Sequence, residues 1–226
     1  MEPLLDLRDL LEHEIDDLYS AEEQIIEAIP TMVQNTQNRD LKQALNQHLK
    51  ITREQKRRLD KVRKLLKSPS KSTDKKGFLE RIFGGDTKCK GTEGLIKEGE
   101  KMMGEDMDPA VKDAAIIASA QKIEHYEISG YGTARAYAKE LGLKEVARLL
   151  EQTMKEEKEA DRLLTQLALN KVNIKADVGS KSSSRSLASS KKGGGGGAPH
   201  GITSRKTATK SRSTSSKVAS KKAASR

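Results

Sequence analysis

At 226 residues, with 34% hydrophobic and only 3% aromatic content, the chain has too little apolar material to form a core along its whole length. Its formal net charge of +10 is confined to one end. From Lys171 onward 14 Lys and Arg face one acid, Asp177, whereas the first 170 residues carry 29 basic and 32 acidic side chains. A single cysteine, Cys89, excludes an internal disulfide framework, no apolar run approaches the roughly 20 residues that span a bilayer, and the acid-rich start is unlike a signal peptide; the expectation is a soluble cytoplasmic protein.

The segment from about Leu5 to Gln34 has apolar residues at Leu11, Ile15, Leu18, Ile25, Ile29 and Met32, a helical stripe interrupted by Pro30, which should kink it. After the polar turn Asn35-Thr36-Gln37-Asn38, a second stripe of Leu41, Leu45, Leu59, Val62 and Leu66 predicts a helix from about Asp40 to Lys67. So short a turn makes the two helices antiparallel neighbours. Residues 68–108 open with a Ser- and Lys-rich loop signal. One apolar turn at Phe78, Leu79, Ile82 and Phe83 follows, then a short helix around Thr92 to Met103.

Asp108-Pro109 pairs a cap residue with proline at the first helical position and starts a third long helix that runs to about Leu141. Gly142 ends it, and the fourth follows from about Lys144 to Leu169. Two antiparallel pairs joined by a long crossover give an all-α, ferritin-like antiparallel four-helix bundle over residues 1–170. Residues 171–226 lose all periodicity, include five consecutive glycines from Gly193 to Gly197, and are expected to form a disordered basic tail.

Each long helix carries polar residues where its apolar stripe should continue: Glu22; His48 with Thr52 and Gln55; Glu124 with Glu127; Glu157 with Asp161. Residues equidistant from a hairpin turn lie at equal height. Glu22 mirrors position 53 across the first turn, Glu127 mirrors Glu157 across the second, and Glu124 mirrors a position beside Asp161. Several carboxylates at one buried level need cations or protons to offset their desolvation. A carboxylate-rich layer with one imidazole suits a pair of iron or manganese ions; without metal the carboxyls should hold protons instead. Height places His48 about one turn above this layer, where a hydrogen-bonded core histidine is the alternative. His13 and His125 fall off the stripes and read as surface residues. Cys89, between Lys88 and Lys90, reads as an ordinary cysteine, and Tyr19, Tyr126, Tyr131 and Tyr137 as core residues with satisfied hydroxyls, with a hydrogen bond or electron relay beside the metal pair as the alternative.

The segments DLRDLLEHEIDDLYSAEEQIIEAIPTM, LKQALNQHLKIT, KCKGTEGLIKEGE, AQKIEHYEISGYGTARAYA and LLEQTMKEEKEAD resemble the YciF/YciE-like bacterial stress proteins of the ferritin-like superfamily, over about residues 4–169. The resemblance implies a rubrerythrin-like bundle, a homodimer, a stress role and a dinuclear metal site, with Glu22, His48, Glu124, Glu127, Glu157 and Asp161 as ligand candidates. The Glu-x-x-His pairs usual in ferritin-like sites are missing: Leu45 precedes His48 by three, and Ala160 follows Glu157 by three.

In the tail, Lys181, Arg185, Lys191, Lys192, Arg205, Lys206, Lys210, Arg212, Lys217, Lys221, Lys222 and Arg226 are separated by small residues without aromatics. That pattern suits salt-sensitive, non-specific contact with DNA phosphates rather than base stacking, with a solubilising tail as the alternative. The leading expectation is a metal-binding stress protein with oxidase or peroxide-consuming (ferroxidase- or peroxidase-like) chemistry, tethered to DNA, near the nucleoid, by its tail. The rivals are a non-catalytic DNA-associated dimeric bundle, and a bundle whose polar layer only fixes register.

Overall fold

In the computed structural model, which describes residues 4–67 and 88–178, five helices and no strand are present among the described residues. They are α1 (Leu7–Asn35), α2 (Arg39–Lys67), α3 (Lys90–Gly104), α4 (Pro109–Glu140) and α5 (Lys144–Leu167). The chain is thus all-α, as its periodicity predicts. The apolar turn expected around Phe78 and the tail beyond residue 178 lie outside the described residues.

Local chemistry starts and stops these helices. The Asp6 side chain accepts hydrogen bonds from the Arg8 and Asp9 amides, and Asp108 does the same for Ala110 with Pro109 at the first position. α1 continues through Pro30 to Asn35. Gly142 adopts φ +70 at the end of α4, and the Leu143 amide reaches back to the Ala138 carbonyl at 2.8 Å. The backbone turns there without strain and launches α5.

α1 packs against α2 and α4, and α5 packs against α4 and α2, so α1 and α5 are diagonal, as are α2 and α4. Asp113, in the first turns of α4, accepts from the Gln37 and Asn38 amides at 2.8 Å each. The start of α4 is therefore level with the α1–α2 turn, at the opposite end of the bundle from the end of α2. α3 packs along α1 and α4.

Helical backbone extends further than the periodicity predicts. A π-helical segment, Ala168–Val172, follows α5, helix continues through residue 178, and Val172 is buried.

The apolar interior is divided. Leu11, Ile15, Leu18, Leu59, Val62 and Leu150 belong to one cluster near the open ends of the hairpins α1–α2 and the α4–α5 turn. Ile25, Ile29, Leu41, Leu45, Ile117 and Leu164 belong to a second cluster toward the α1–α2 turn. The polar residues of the four stripes lie between the two.

Candidate metal centre

Three helices, α1, α4 and α5, deliver carboxylates inward at the level where the apolar clusters part, and α2 delivers an imidazole. Glu22 and Glu157 are 0% exposed, Glu127 1% and Glu124 3%. His48 on α2 is half-buried, with a side chain only 12% exposed. Ligand atoms of His48, Glu124, Glu127 and Glu157 all lie within 4.8 Å of one another. His48 Nε2 stands 3.2 Å from Glu124 Oε1.

Height matching within the hairpins underrates His48. The contact of Asp113 with Gln37 and Asn38 sets the register between hairpins, and from that level both His48 and Glu124 lie eleven residues down parallel diagonal helices, counting from Gln37 and Asp113. His48 is thus brought into the layer. Asp161 is not. Its carboxylate, 25% exposed, accepts from Gln121 Nε2 at 2.8 Å and lies 3.3 Å from His125 Nε2. His125 is a surface residue, as expected, with a side chain 69% exposed.

Supporting hydrogen bonds claim one oxygen of several ligand candidates. Tyr131 Oη on α4 donates to Glu22 Oε1, and Gln55 Nε2 donates to Glu157 Oε1 and, at 3.2 Å, to Glu156 Oε2. Arg58 donates to Thr153 Oγ1 at 2.6 Å and to both oxygens of Glu156, at 2.9 and 3.0 Å. Arg58 escapes the sequence reading as part of this setting, and Tyr131 is not singled out there from the other tyrosines. The available signal was spacing: Tyr131 follows Glu127 by four and Arg58 follows Gln55 by three, each on the same helical face.

Burial raises the pKa of every carboxyl in the layer. Glu22 and Glu127 lie well above the usual carboxylate range, pushed first by desolvation and then by the charge of Glu157. Glu124 is raised by desolvation, by Glu157's charge and by its hydrogen bond with Glu157. That shared proton works the other way on Glu157, which desolvation still carries up to about 7. Desolvation brings His48 down to about 4, so the imidazole is neutral and able to ligate near neutral pH.

The donor set is compatible with a cation. Glu22 Oε2, Glu124 Oε2, Glu127 Oε1 and Glu157 Oε2 are buried without a hydrogen-bond partner, as is His48 Nδ1. Buried polar atoms are almost always paired, and these oxygens are what a bound ion would satisfy, or, for Glu124 and Glu157, a proton shared between the two carboxyls.

Cys89 has a structural task that the sequence does not reveal. It is 1% exposed and caps α3. Its thiol donates to Asp17 Oδ2 at 3.1 Å and lies 3.1 Å from Tyr126 Oη. The flanking Lys88 and Lys90 pair with Glu93 instead.

A family model described as a domain of unknown function, DUF892, matches residues 6–177. Protein YciF of Escherichia coli K12 is 40% identical over 171 residues, covering 76% of this chain and 95% of YciF. Among solved structures, the crystal structure of the E. coli stress protein YciF aligns with a TM-score of 0.66 at 38% identity, covering 75% of this chain and 99% of that one. YcfI from Rhodopseudomonas palustris aligns with a TM-score of 0.64 at 40% identity, covering 74% and 98%. A protein from Xanthomonas campestris, 19% identical with a TM-score of 0.51 and coverage of 72% and 90%, shares the fold alone.

Proposed function

The chain belongs to the DUF892 family, and within it we propose a stress protein whose bundle holds iron or manganese between its two apolar clusters. The observation that carries this reading is the convergence of His48, Glu124, Glu127 and Glu157 within 4.8 Å, in a layer whose buried oxygens lack partners. His48 and Glu124 supply one side of the donor set. Glu127 and Glu157 complete the converging group, and Glu22, buried beside it but outside that group, would supply a further carboxylate for a second ion. Asp161 stays outside, held by its own partners.

Iron or manganese bound there would supply a redox couple suited to oxidising ferrous iron or consuming peroxide. The protein's own groups do the rest. Gln55 orients Glu157, Tyr131 orients Glu22, and the layer sits between two apolar clusters.

Metal analysis tests this directly. Protein purified without chelators and reconstituted with Fe(II) or Mn(II) should retain between one and two equivalents after desalting. Retention below about 0.2 equivalents rejects the proposal. Replacing Glu127 and Glu157 together by Ala should abolish retention, because the double substitution removes both central carboxylates.

The second part of the reading concerns residues 179–226, whose dense Lys and Arg favour non-specific binding of duplex DNA by counterion release. A gel shift across several salt concentrations, with full-length protein and protein ending at residue 178, separates tail from bundle. Ending at Val178 keeps Val172, which is buried in the cluster near the α1–α2 turn. Affinity should fall steeply with salt and vanish with the tail; unchanged affinity in the truncated protein rejects DNA tethering. Analytical ultracentrifugation of the same two proteins tests the homodimer, for which a mass of twice the chain is expected.

A further inference from the structure

Between α2 and α5 a cavity of about 280 Å³ leads inward from the bundle surface. Exposed Gln47, Lys155 and Glu159 stand among its outer residues. Deeper, the wall is aliphatic, and the polar side chains that reach it from the bundle interior are His48 and Glu124. Three small residues, Ala44 on α2, Ala120 on α4 and Ala160 on α5, leave space among the larger aliphatic side chains that line it. Ala160 is the residue three after Glu157, where a Glu-x-x-His pair would place an imidazole. The side chain missing from the donor set is therefore also missing from the wall, and the layer faces the cavity instead of a ligand.

We propose that this cavity is a binding site for a small neutral amphiphile, an apolar body with one hydroxyl or carbonyl oxygen, which enters between α2 and α5 and sets its polar end against His48 and Glu124. An apolar cavity of about 150 Å³ admits benzene, so the volume here suits a body of roughly eight to ten carbons. The aliphatic wall excludes a strongly polar body. The charges along the lining already have partners, Lys155 facing Glu151 at 3.6 Å, Glu156 held by Arg58 and Glu159 by Arg162, so the wall offers an anionic head no unpaired cation. The assignment rests on the metal-centre reading for the identity of what lies beyond Glu124, and names the class of molecule that would reach it.

Full-length, metal-free protein titrated calorimetrically with 1-octanol and with sodium octanoate tests the assignment. Octanol should bind saturably, one per chain, and octanoate at least tenfold more weakly. Ala160→Leu fills the cavity without touching a carboxylate and should weaken octanol binding at least tenfold; Ala44→Leu makes the same test from α2 if the first variant does not fold. No saturable octanol binding, or an unchanged isotherm in a folded, filled variant, overturns the site. Octanoate binding as tightly as octanol overturns the neutral head group. Because the readout needs no metal, its failure is distinct from a failure to retain iron or manganese.

Discussion

Tyr131 on α4 donates its hydroxyl hydrogen to Glu22 on α1, and both side chains are 0% exposed. The bond ties two adjacent helices at the level where their apolar packing stops, and it fixes which Glu22 oxygen remains free. Tyr131→Phe keeps the ring's packing and removes only the donor, leaving a buried acceptor without a partner, a loss of about 1–3 kcal/mol. Metal-free protein should then melt several degrees lower, at roughly 2–4 °C per kcal/mol for a domain of this size. Metal should recover more stability in the variant than in the parent, since an ion takes over the freed oxygen. Paired thermal melts with and without Mn(II) measure both.

The titration of the layer gives a pH dependence with a definite sign. Glu157 is raised from 4.5 to about 7, and burial raises Glu22, Glu124 and Glu127 in the same direction. A carboxyl whose folded pKa is raised stabilises the fold relative to high pH, fully below its unfolded pKa, and that contribution is lost as pH rises through the folded value. Metal-free protein should therefore lose stability between about pH 5 and 8, by a few kcal/mol from Glu157 alone. His48, lowered from 6.5 to about 4, acts oppositely and costs stability as pH falls below 6.5. Urea melts across this range should slope downward toward high pH, and Glu157→Gln should flatten the slope. Metal binding should strengthen over the same interval, because the ligands must be deprotonated.

Asp161 and Glu157 are four residues apart on one face of α5, yet only Glu157 joins the cluster. Gln121 and His125 of α4 draw Asp161 toward the bundle's edge. Asp161→Asn should leave metal stoichiometry unchanged and alter affinity by less than about threefold, whereas loss of a direct ligand or its orienting partner costs on the order of 10–100-fold. Competitive titration against a chromophoric chelator resolves the two.

Stripe positions and cap residues made four long helices and their hairpin pairing legible in the sequence, because 3.6-residue periodicity and chain connectivity are local properties. Glu22, Glu127 and Glu157 followed from height within each hairpin. His48 and Asp161 did not, for a common reason. The former depends on the offset between hairpins, which a long crossover leaves open; the latter depends on partners from another helix competing for its carboxylate. Tyr131 was hidden in the same way. An aromatic on an apolar stripe looks like packing until the facing residue is known to be Glu22. The small residues Ala44, Ala120 and Ala160 carry no sequence signal for a cavity, since each is also a good helix former.

Asp113 is the contact that fixes that offset, and its removal should show how much depends on it. The carboxylate is 4% exposed and accepts from two amides of the α1–α2 turn at 2.8 Å each. Hydrogen bonds to a charged acceptor contribute about 1.5–3 kcal/mol, and Asp113→Ala leaves both amides without that acceptor. The variant should lose about 2–4 kcal/mol in urea denaturation, and Asp113→Asn less, because its one carbonyl oxygen can still accept. A lost register should also loosen the pairing of His48 with Glu124, which lie eleven residues below this contact on diagonal helices. Metal affinity in folded Asp113→Ala should therefore fall although no ligand has changed. An affinity equal to the parent's, measured below the unfolding transition, would show that the apolar clusters alone hold the two hairpins in register.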